Sequence, residues 1–146
     1  MAEKKRRSGK TLLIGVILLL SAGIWCLIRL CTVNAGGISG ETNEQRIAYI
    51  NSFGWDAGLT HTDVKEVRIP VRFDEAYEQY NALQKEQGFD LRKYRACSVK
   101  QYTYDISDDT SSVPIYAHLL VLDGEIIGAD ISSAEADGFV TVLAKN

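Results

Sequence analysis

The sequence predicts an α+β protein in which an N-terminal transmembrane helix precedes a small domain with the element order α-β-α-β-β-β. Three observations lead to this prediction: a long uncharged apolar run near the N-terminus, two stretches with apolar residues at helical spacing, and an Asp-Gly pair between two apolar runs. In the predicted domain, two helices pack on one face of a mainly antiparallel sheet.

The N-terminal apolar run is long enough to span a membrane. Leu12–Ile28 contains 17 residues without a formal charge, and a helix of that length covers roughly 26 Å, close to one bilayer core. Five Lys or Arg residues precede the run, whereas Arg29 is the one basic residue between it and Arg46. This asymmetry predicts a single-pass protein of the cell membrane with a cytoplasmic N-terminus. The predicted divisions are a basic tail (1–11), a transmembrane anchor (12–31), a linker (32–41) and an extracytoplasmic domain (42–146).

A cleaved secretory signal is the alternative interpretation of the apolar run. The apolar region of such a signal is normally about 7–15 residues long, and a small-residue site follows it. Val33-Asn34-Ala35 would provide a site with cleavage after Ala35. The run is longer than that, however, and Trp25 and Arg29 lie before the site. These features favour an uncleaved anchor, and both interpretations place the same domain outside the cytoplasm.

The predicted extracytoplasmic domain is acidic. From Gly36 onward the chain has 10 Lys and Arg against 18 Asp and Glu. A surface of this sign gains nothing from counterion release on nucleic acid, so we expect no nucleic-acid partner. The sequence has no Cys and His cluster with the spacing of a zinc site and no glycine-rich phosphate loop. We therefore predict no metal site and no cofactor.

Two stretches have the end signals of amphipathic helices. The first begins at Thr42, which forms a capping box with Gln45, and ends at Gly54. The second begins after Asp74 and ends at Gly88. The predicted apolar stripes are Ile47, Ile50 and Phe53 in the first helix, and Phe73, Ala76, Tyr77, Tyr80, Leu83 and Gln87 in the second.

The sequence predicts three further strands besides the hairpin strands. The stretch VRIPVRF, residues 67–73, alternates in this way, and Pro70 places its end at a sheet edge. A strand from about Ala96 to Ile106 carries apolar residues at opposite parity, which a bulge near Lys100-Gln101 would reconcile. A short tail strand, Phe139–Leu143, is expected to add to the sheet.

The pair Asp123-Gly124 is the strongest local signal in the domain. It lies between two apolar runs and predicts a hairpin with a two-residue type I′ turn. The pairs that this register predicts are Leu122 with Glu125, Leu120 with Ile127, His118 with Ala129 and Tyr116 with Ile131.

The predicted hairpin has two apolar faces, of which the helices cover one. We assign the helices to the longer face, which carries Leu120 and Ile127. The other face then keeps an uncovered apolar strip, and such strips often mark a contact surface. The candidate binding residues on this strip are Leu119, Val121 and Ile126.

Three segments of the domain resemble a known family. They read EQRIAYINSFGW, YNALQKEQGFDLRKYRACSVKQYTYDI and AHLLVLDGEIIGADISSAEADGF, and together they span about Asn43 to Phe139. They are similar to the domain-of-unknown-function family 4830, which comprises small exported or anchored proteins of Gram-positive bacteria. The resemblance implies one domain outside the membrane, and it brings no catalytic residues with it.

Several polar residues are candidates for catalysis. His118 could act with Asp130, Ser132 or Ser133, but the predicted register puts His118 and Asp130 on opposite faces of the sheet. A pair of Cys97 and His118 on adjacent strands lacks a third group that would orient the histidine. We therefore predict no catalytic residues.

The sequence thus predicts a membrane-tethered, extracytoplasmic binding or interaction module that has no catalysis of its own. Its expected contacts are the membrane, through the N-terminal helix, and a protein partner or a second copy of the chain. The alternative is a cell-envelope enzyme of the hydrolase type, with a site that the sequence does not reveal.

The predicted topology can be tested with protease. Protease added to intact cells is expected to remove the domain and to leave the N-terminal tail protected, because the positive charges hold that tail in the cytoplasm. The remaining fragment is detected with an epitope at the N-terminus. Recovery of a soluble product beginning at Gly36 would instead support the cleaved signal.

Overall fold

The computed structural model of the chain describes residues 37–107, 112–135 and 138–145. The predicted anchor and basic tail lie outside these residues. Within the described ranges, no helix is both long enough and apolar enough to cross a membrane.

The described residues form a mainly antiparallel sheet with two α-helices, which confirms the α+β class. Its strand order is β1-β6-β5-β4-β2, with β3 also paired to β4 and β7 to β6. The strands are β1 (Ile38–Ser39), β2 (Asp56–Ala57), β3 (Asp63–Arg68), β4 (Ser98–Ser107), β5 (Ile115–Leu122), β6 (Glu125–Ser133) and β7 (Val140–Thr141). The helices are α1 (Asn43–Asn51), α2 (Glu75–Glu86) and a 3₁₀ helix (Leu91–Tyr94).

Helix α1 begins at the predicted capping box. The backbone amide of Gln45 donates to the Thr42 hydroxyl at 3.3 Å, and the backbone amide of Thr42 donates to the side-chain oxygen of Gln45 at 3.0 Å. Two amides that the first helical turn leaves without a partner are therefore satisfied. Beyond the helix, Gly54 has φ +84°, a left-handed conformation that glycine adopts without steric cost.

Helix α2 has the predicted cap but buries a different set of residues. Asp74 accepts a hydrogen bond from the Tyr77 amide at 2.8 Å. The fully buried side chains, however, are Asn81 and Gln84, whereas Ala76 is exposed. The predicted stripe is therefore only partly right, since Tyr80 and Gln87 contact β6 but Asn81 and Gln84 are the most buried residues. The buried face of α2 carries polar groups because it meets backbone and polar side chains.

Gln84 completes the edge of β6. Along this edge, β1 pairs with residues 125–126 and β7 pairs with 131–132. In the gap between them, the Gln84 side chain accepts from the Ala129 amide at 2.8 Å and donates to the Ala129 carbonyl at 3.0 Å. A side-chain amide therefore supplies the two hydrogen bonds that a neighbouring strand would supply.

The hairpin has the predicted turn but a shifted register. Asp123 and Gly124 both have positive φ, 49° and 81°, as a type I′ turn requires. Val121 pairs with Ile126, but Leu120 pairs with Gly128, so Ile127 is an extra residue in β6. This is a β-bulge. The bulge predicted near Lys100-Gln101 is wrong, because β4 pairs with β3 and β5 in unbroken register.

The two helices pack on opposite faces of the sheet, which corrects the prediction that they share one face. Helix α1 donates a hydrogen bond to the Tyr104 hydroxyl, and Tyr104 pairs with Ala117 in β5. Helix α2 donates one to the Asp130 carboxylate, and Asp130 pairs with His118. Consecutive residues of a strand point to opposite faces. We refer to these two surfaces as the α1 face and the α2 face.

Two strands differ in extent from the prediction. β3 covers Asp63–Arg68 and ends before Pro70, rather than covering 67–73. β3 is an outer strand that carries both acidic and basic side chains. Charged side chains protect a sheet edge from pairing with another chain. Alternation of apolar residues is a weak guide to a strand of this kind. The tail strand is limited to Val140–Thr141.

The role of Gln84 can be tested by substitution. Gln84→Leu should lower the free energy of unfolding by about 1–3 kcal/mol, because the buried Ala129 amide loses its partner. Gln79→Leu, on an exposed position of the same helix, is the matched control. Urea unfolding measures both variants. Equal midpoints for the two would contradict the proposed role of Gln84.

Candidate functional site

The predicted contact surface is not an exposed surface. Leu119, Val121 and Ile126 are 0%, 7% and 3% exposed. They lie on the α1 face, in one core cluster with Ile50 of α1. The expectation that this face is uncovered is therefore wrong, because the two helices cover different faces.

A group of five polar side chains lies together on the α2 face. We call it the His118 cluster: Tyr80, Thr103, His118, Asp130 and Ser132. The sheet register assembles it, because Thr103 in β4 pairs with His118 in β5, which pairs with Asp130 in β6. Ser132 follows Asp130 on the same face, and Tyr80 reaches the cluster from α2.

Hydrogen bonds connect the members of the His118 cluster in two sets. The Thr103 hydroxyl lies 3.0 Å from His118 Nδ1, and the Ser132 hydroxyl lies 2.9 Å from His118 Nε2. Both ring nitrogens are therefore engaged by hydroxyl groups. The Tyr80 hydroxyl donates to Asp130 Oδ2 at 2.7 Å.

Burial is the main electrostatic influence on the cluster. It lowers the pKa of His118, although the neighbouring charge of Asp130 acts in the opposite direction. Burial also raises the pKa of Asp130, while His118 and the hydrogen bond from Tyr80 oppose that rise. Desolvation penalises the charged form of each group. The imidazole is therefore neutral near pH 7.

The bulge is the reason that sequence reasoning missed this cluster. The predicted register separated His118 from Asp130, whereas the extra residue at Ile127 brings them opposite each other. A signal was present in the sequence, since a glycine inside a strand often accompanies a bulge or a close approach. At Gly128, an added Cβ would lie 3.1 Å from Gln84 Oε1 and 3.1 Å from Leu120 Cδ1.

The other catalytic candidates lie apart from His118. Cys97 is buried and precedes β4, six residues from the Thr103 that pairs with His118. At about 3.3 Å per residue this is roughly 20 Å along the strand. Ser133 belongs to the α1 face, where it pairs with Ile115.

A groove near the hairpin turn is the larger of two described cavities. We call it the turn groove. Its volume is about 380 Å³, which lies within the usual range of roughly 300–1,000 Å³ for ligand sites. Its lining includes Glu41, Glu66, Lys100, Tyr102, Val121 and Asp123.

Arg46 contacts two residues that line the turn groove, Glu41 and Tyr102. Its guanidinium lies 3.8 Å from the centroid of the Tyr102 ring. Its Nη1 donates to the carbonyl oxygens of Gly40 at 2.7 Å and Glu41 at 2.9 Å, and its Nε donates to the Tyr104 hydroxyl at 2.8 Å. Arg46 is 4% exposed, so these contacts replace the water that a buried guanidinium loses.

Residues 49–131 match the profile of a family described as Domain of unknown function (DUF4830). The chain belongs to this family. No curated protein and no solved structure matches the chain. The DUF4830 match includes four members of the His118 cluster and ends one residue before Ser132.

Within the described part of this DUF4830 chain, no group of three or more His, Cys, Asp or Glu side chains could hold a metal ion.

The raised pKa of Asp130 gives a testable pH dependence. The folded-state pKa lies above the unfolded value, so this group favours the folded state at low pH and loses that contribution as pH rises through the folded-state pKa. Asp130→Asn removes this titration and can still accept the Tyr80 hydrogen bond. The melting temperature of the variant minus that of the wild type should therefore increase as the pH rises from 4 to 7.

The matched control is Asp105→Asn, at an exposed position of β4. Its melting temperature relative to the wild type should not follow the pattern of Asp130→Asn. A difference for Asp130→Asn that stays constant over this pH range would contradict the raised pKa.

Proposed function

We propose that the chain is a membrane-tethered binding module outside the cytoplasm, and that its ligand occupies the turn groove. The observation that carries the proposal is the groove itself, a cavity of about 380 Å³ beside the hairpin turn. We further propose that the chain is a small envelope protein of a Gram-positive bacterium, anchored by residues 12–31.

The turn groove offers both polar and apolar contacts to a ligand. Glu66 and Lys100 are direct cross-strand partners with exposed side chains at one side of the groove. Tyr102 and Val121 contribute apolar surface. A few positioned polar groups around an apolar floor are typical of ligand sites. Val121 is the one predicted contact residue that lines this groove.

Arg46 supports the proposal because it fixes the groove before a ligand arrives. The Arg46 side chain binds the backbone at Glu41 and also packs on Tyr102, so it links two walls of the groove. A site that is already ordered loses less conformational entropy on binding.

The proposal can be tested by photo-crosslinking in membranes. A photoreactive residue replaces Lys100 in the full-length chain, which places the reactive group in the turn groove. The control has the same residue in place of Lys93, an exposed position of the 3₁₀ helix that lines neither described cavity. We expect adducts of defined mass from position 100 and not from position 93. Equal adducts from both positions, or none from position 100, would contradict the proposal.

A further inference from the structure

We propose that Ser132 and His118 form a nucleophile and general-base pair that hydrolyses a carboxylic ester with a short acyl chain. This activity goes beyond the binding function proposed above, because it uses the α2 face rather than the turn groove. It provides an active site for the alternative function, a cell-envelope enzyme of the hydrolase type.

The first support is the geometry of the pair. Ser132 Oγ lies 2.9 Å from His118 Nε2, within hydrogen-bond reach for proton transfer. Thr103 Oγ1 lies 3.0 Å from Nδ1. When Nδ1 carries the ring proton and donates it to Thr103, Nε2 is free to accept the Ser132 proton. Thr103 is therefore a positioning residue that fixes the orientation and tautomer of the imidazole.

The second support is the environment of the imidazole. The charged groups that act on His118 are Asp130 in β6, and Asp63 and Lys65 in β3. Burial outweighs the attraction of the two carboxylates, and the pKa of His118 lies below its usual value. The ring is therefore unprotonated at neutral pH, as a general base must be.

The third support is a cavity that Tyr80, a member of the His118 cluster, lines. Its volume is about 340 Å³, and its lining residues are Ala76, Gln79, Tyr80, Leu83 and Val140. Tyr80 is a member of the His118 cluster, and Val140 pairs with Ser132 in register. The side chains of a cross-strand pair lie on the same face about 4.5–5.5 Å apart. Ser132 is therefore the cross-strand neighbour of Val140, one of the residues that line this largely apolar cavity.

The chemical class of substrate follows from this cavity. Alanine, leucine and valine side chains suit an aliphatic acyl chain, and the limited volume restricts its length. The proposal places the acyl chain between α2 and β7, with the ester carbonyl on the side of Val140 and its partner Ser132.

The reaction has two balanced steps. Ser132 Oγ bonds to the ester carbonyl carbon as its proton passes to His118 Nε2; the bond from that carbon to the alkoxy oxygen then breaks, and the alkoxy oxygen takes the proton and leaves as an alcohol. Water next attacks the acyl carbon and gives a proton to Nε2. The bond to Ser132 Oγ breaks, Oγ recovers the proton, and a carboxylic acid is released.

The test uses the full-length chain and a fluorophosphonate probe, with p-nitrophenyl butyrate as the ester. We expect the probe to modify Ser132, as identified by peptide mass spectrometry. Ser132→Ala should abolish both labelling and ester hydrolysis, and His118→Gln should reduce both at least about 100-fold. The matched control is Ser133→Ala, which changes the neighbouring serine on the other face and should leave both unchanged.

Two further variants separate a positioning role from a structural one. Thr103→Val should slow labelling about tenfold, whereas Thr103→Ser keeps the hydroxyl and should restore the rate. The wild-type rate should rise with pH to a plateau, with a midpoint below about 6.5. Circular dichroism confirms that each variant is folded. Labelling of another residue, absence of labelling in the folded wild type, or full activity in Ser132→Ala would overturn the proposal.

Discussion

One extra residue in β6 determines how the rest of the domain is arranged. Ile127 has no partner in β5, so every residue after it in β6 faces a different partner from the one that an unbroken hairpin would provide. A shift of one residue also moves each side chain to the other face of the sheet. The bulge therefore places Asp130 opposite His118 and leaves Ala129 and Ile131 for the core beneath α1. Two differently lined faces result, and each helix covers one.

Polar contacts attach both helices to this sheet. Helix α1 uses Arg46, whose guanidinium binds backbone carbonyls, a tyrosine hydroxyl and a tyrosine ring. Helix α2 uses Gln84, which binds both backbone groups of Ala129. Buried polar groups of this kind are costly when their partners are lost. They consequently specify the position of each helix more sharply than apolar packing does, since apolar contacts are non-directional.

Local signals predicted the helix caps and the hairpin turn correctly, whereas the strand register, the buried face of α2 and the His118 cluster depend on non-local contacts. The Thr42 capping box, the Asp74 cap and the turn at Asp123 depend on residues within a few positions of one another. The strand register depends on whether β6 contains a bulge, and periodicity does not show that Ile127 is an extra residue. The buried face of α2 depends on meeting a strand edge rather than an apolar surface. The His118 cluster joins residues from four elements, so it could not be found until the register was known.

The polar residues of the His118 cluster are not the ones that stability alone would favour at this place in the fold. An apolar set of similar volume on the covered α2 face would pack at least as well as a buried carboxylate and a half-buried imidazole. The cluster instead engages both nitrogens of His118 with hydroxyls and directs the Tyr80 hydroxyl to Asp130. The ring thereby has a fixed orientation and remains neutral without a direct carboxylate bond. Departures of this kind from the most stable choice concentrate at functional sites. The turn groove lies on the opposite face and shares no residue with the His118 cluster. Binding in the groove and chemistry at Ser132 therefore depend on different side chains.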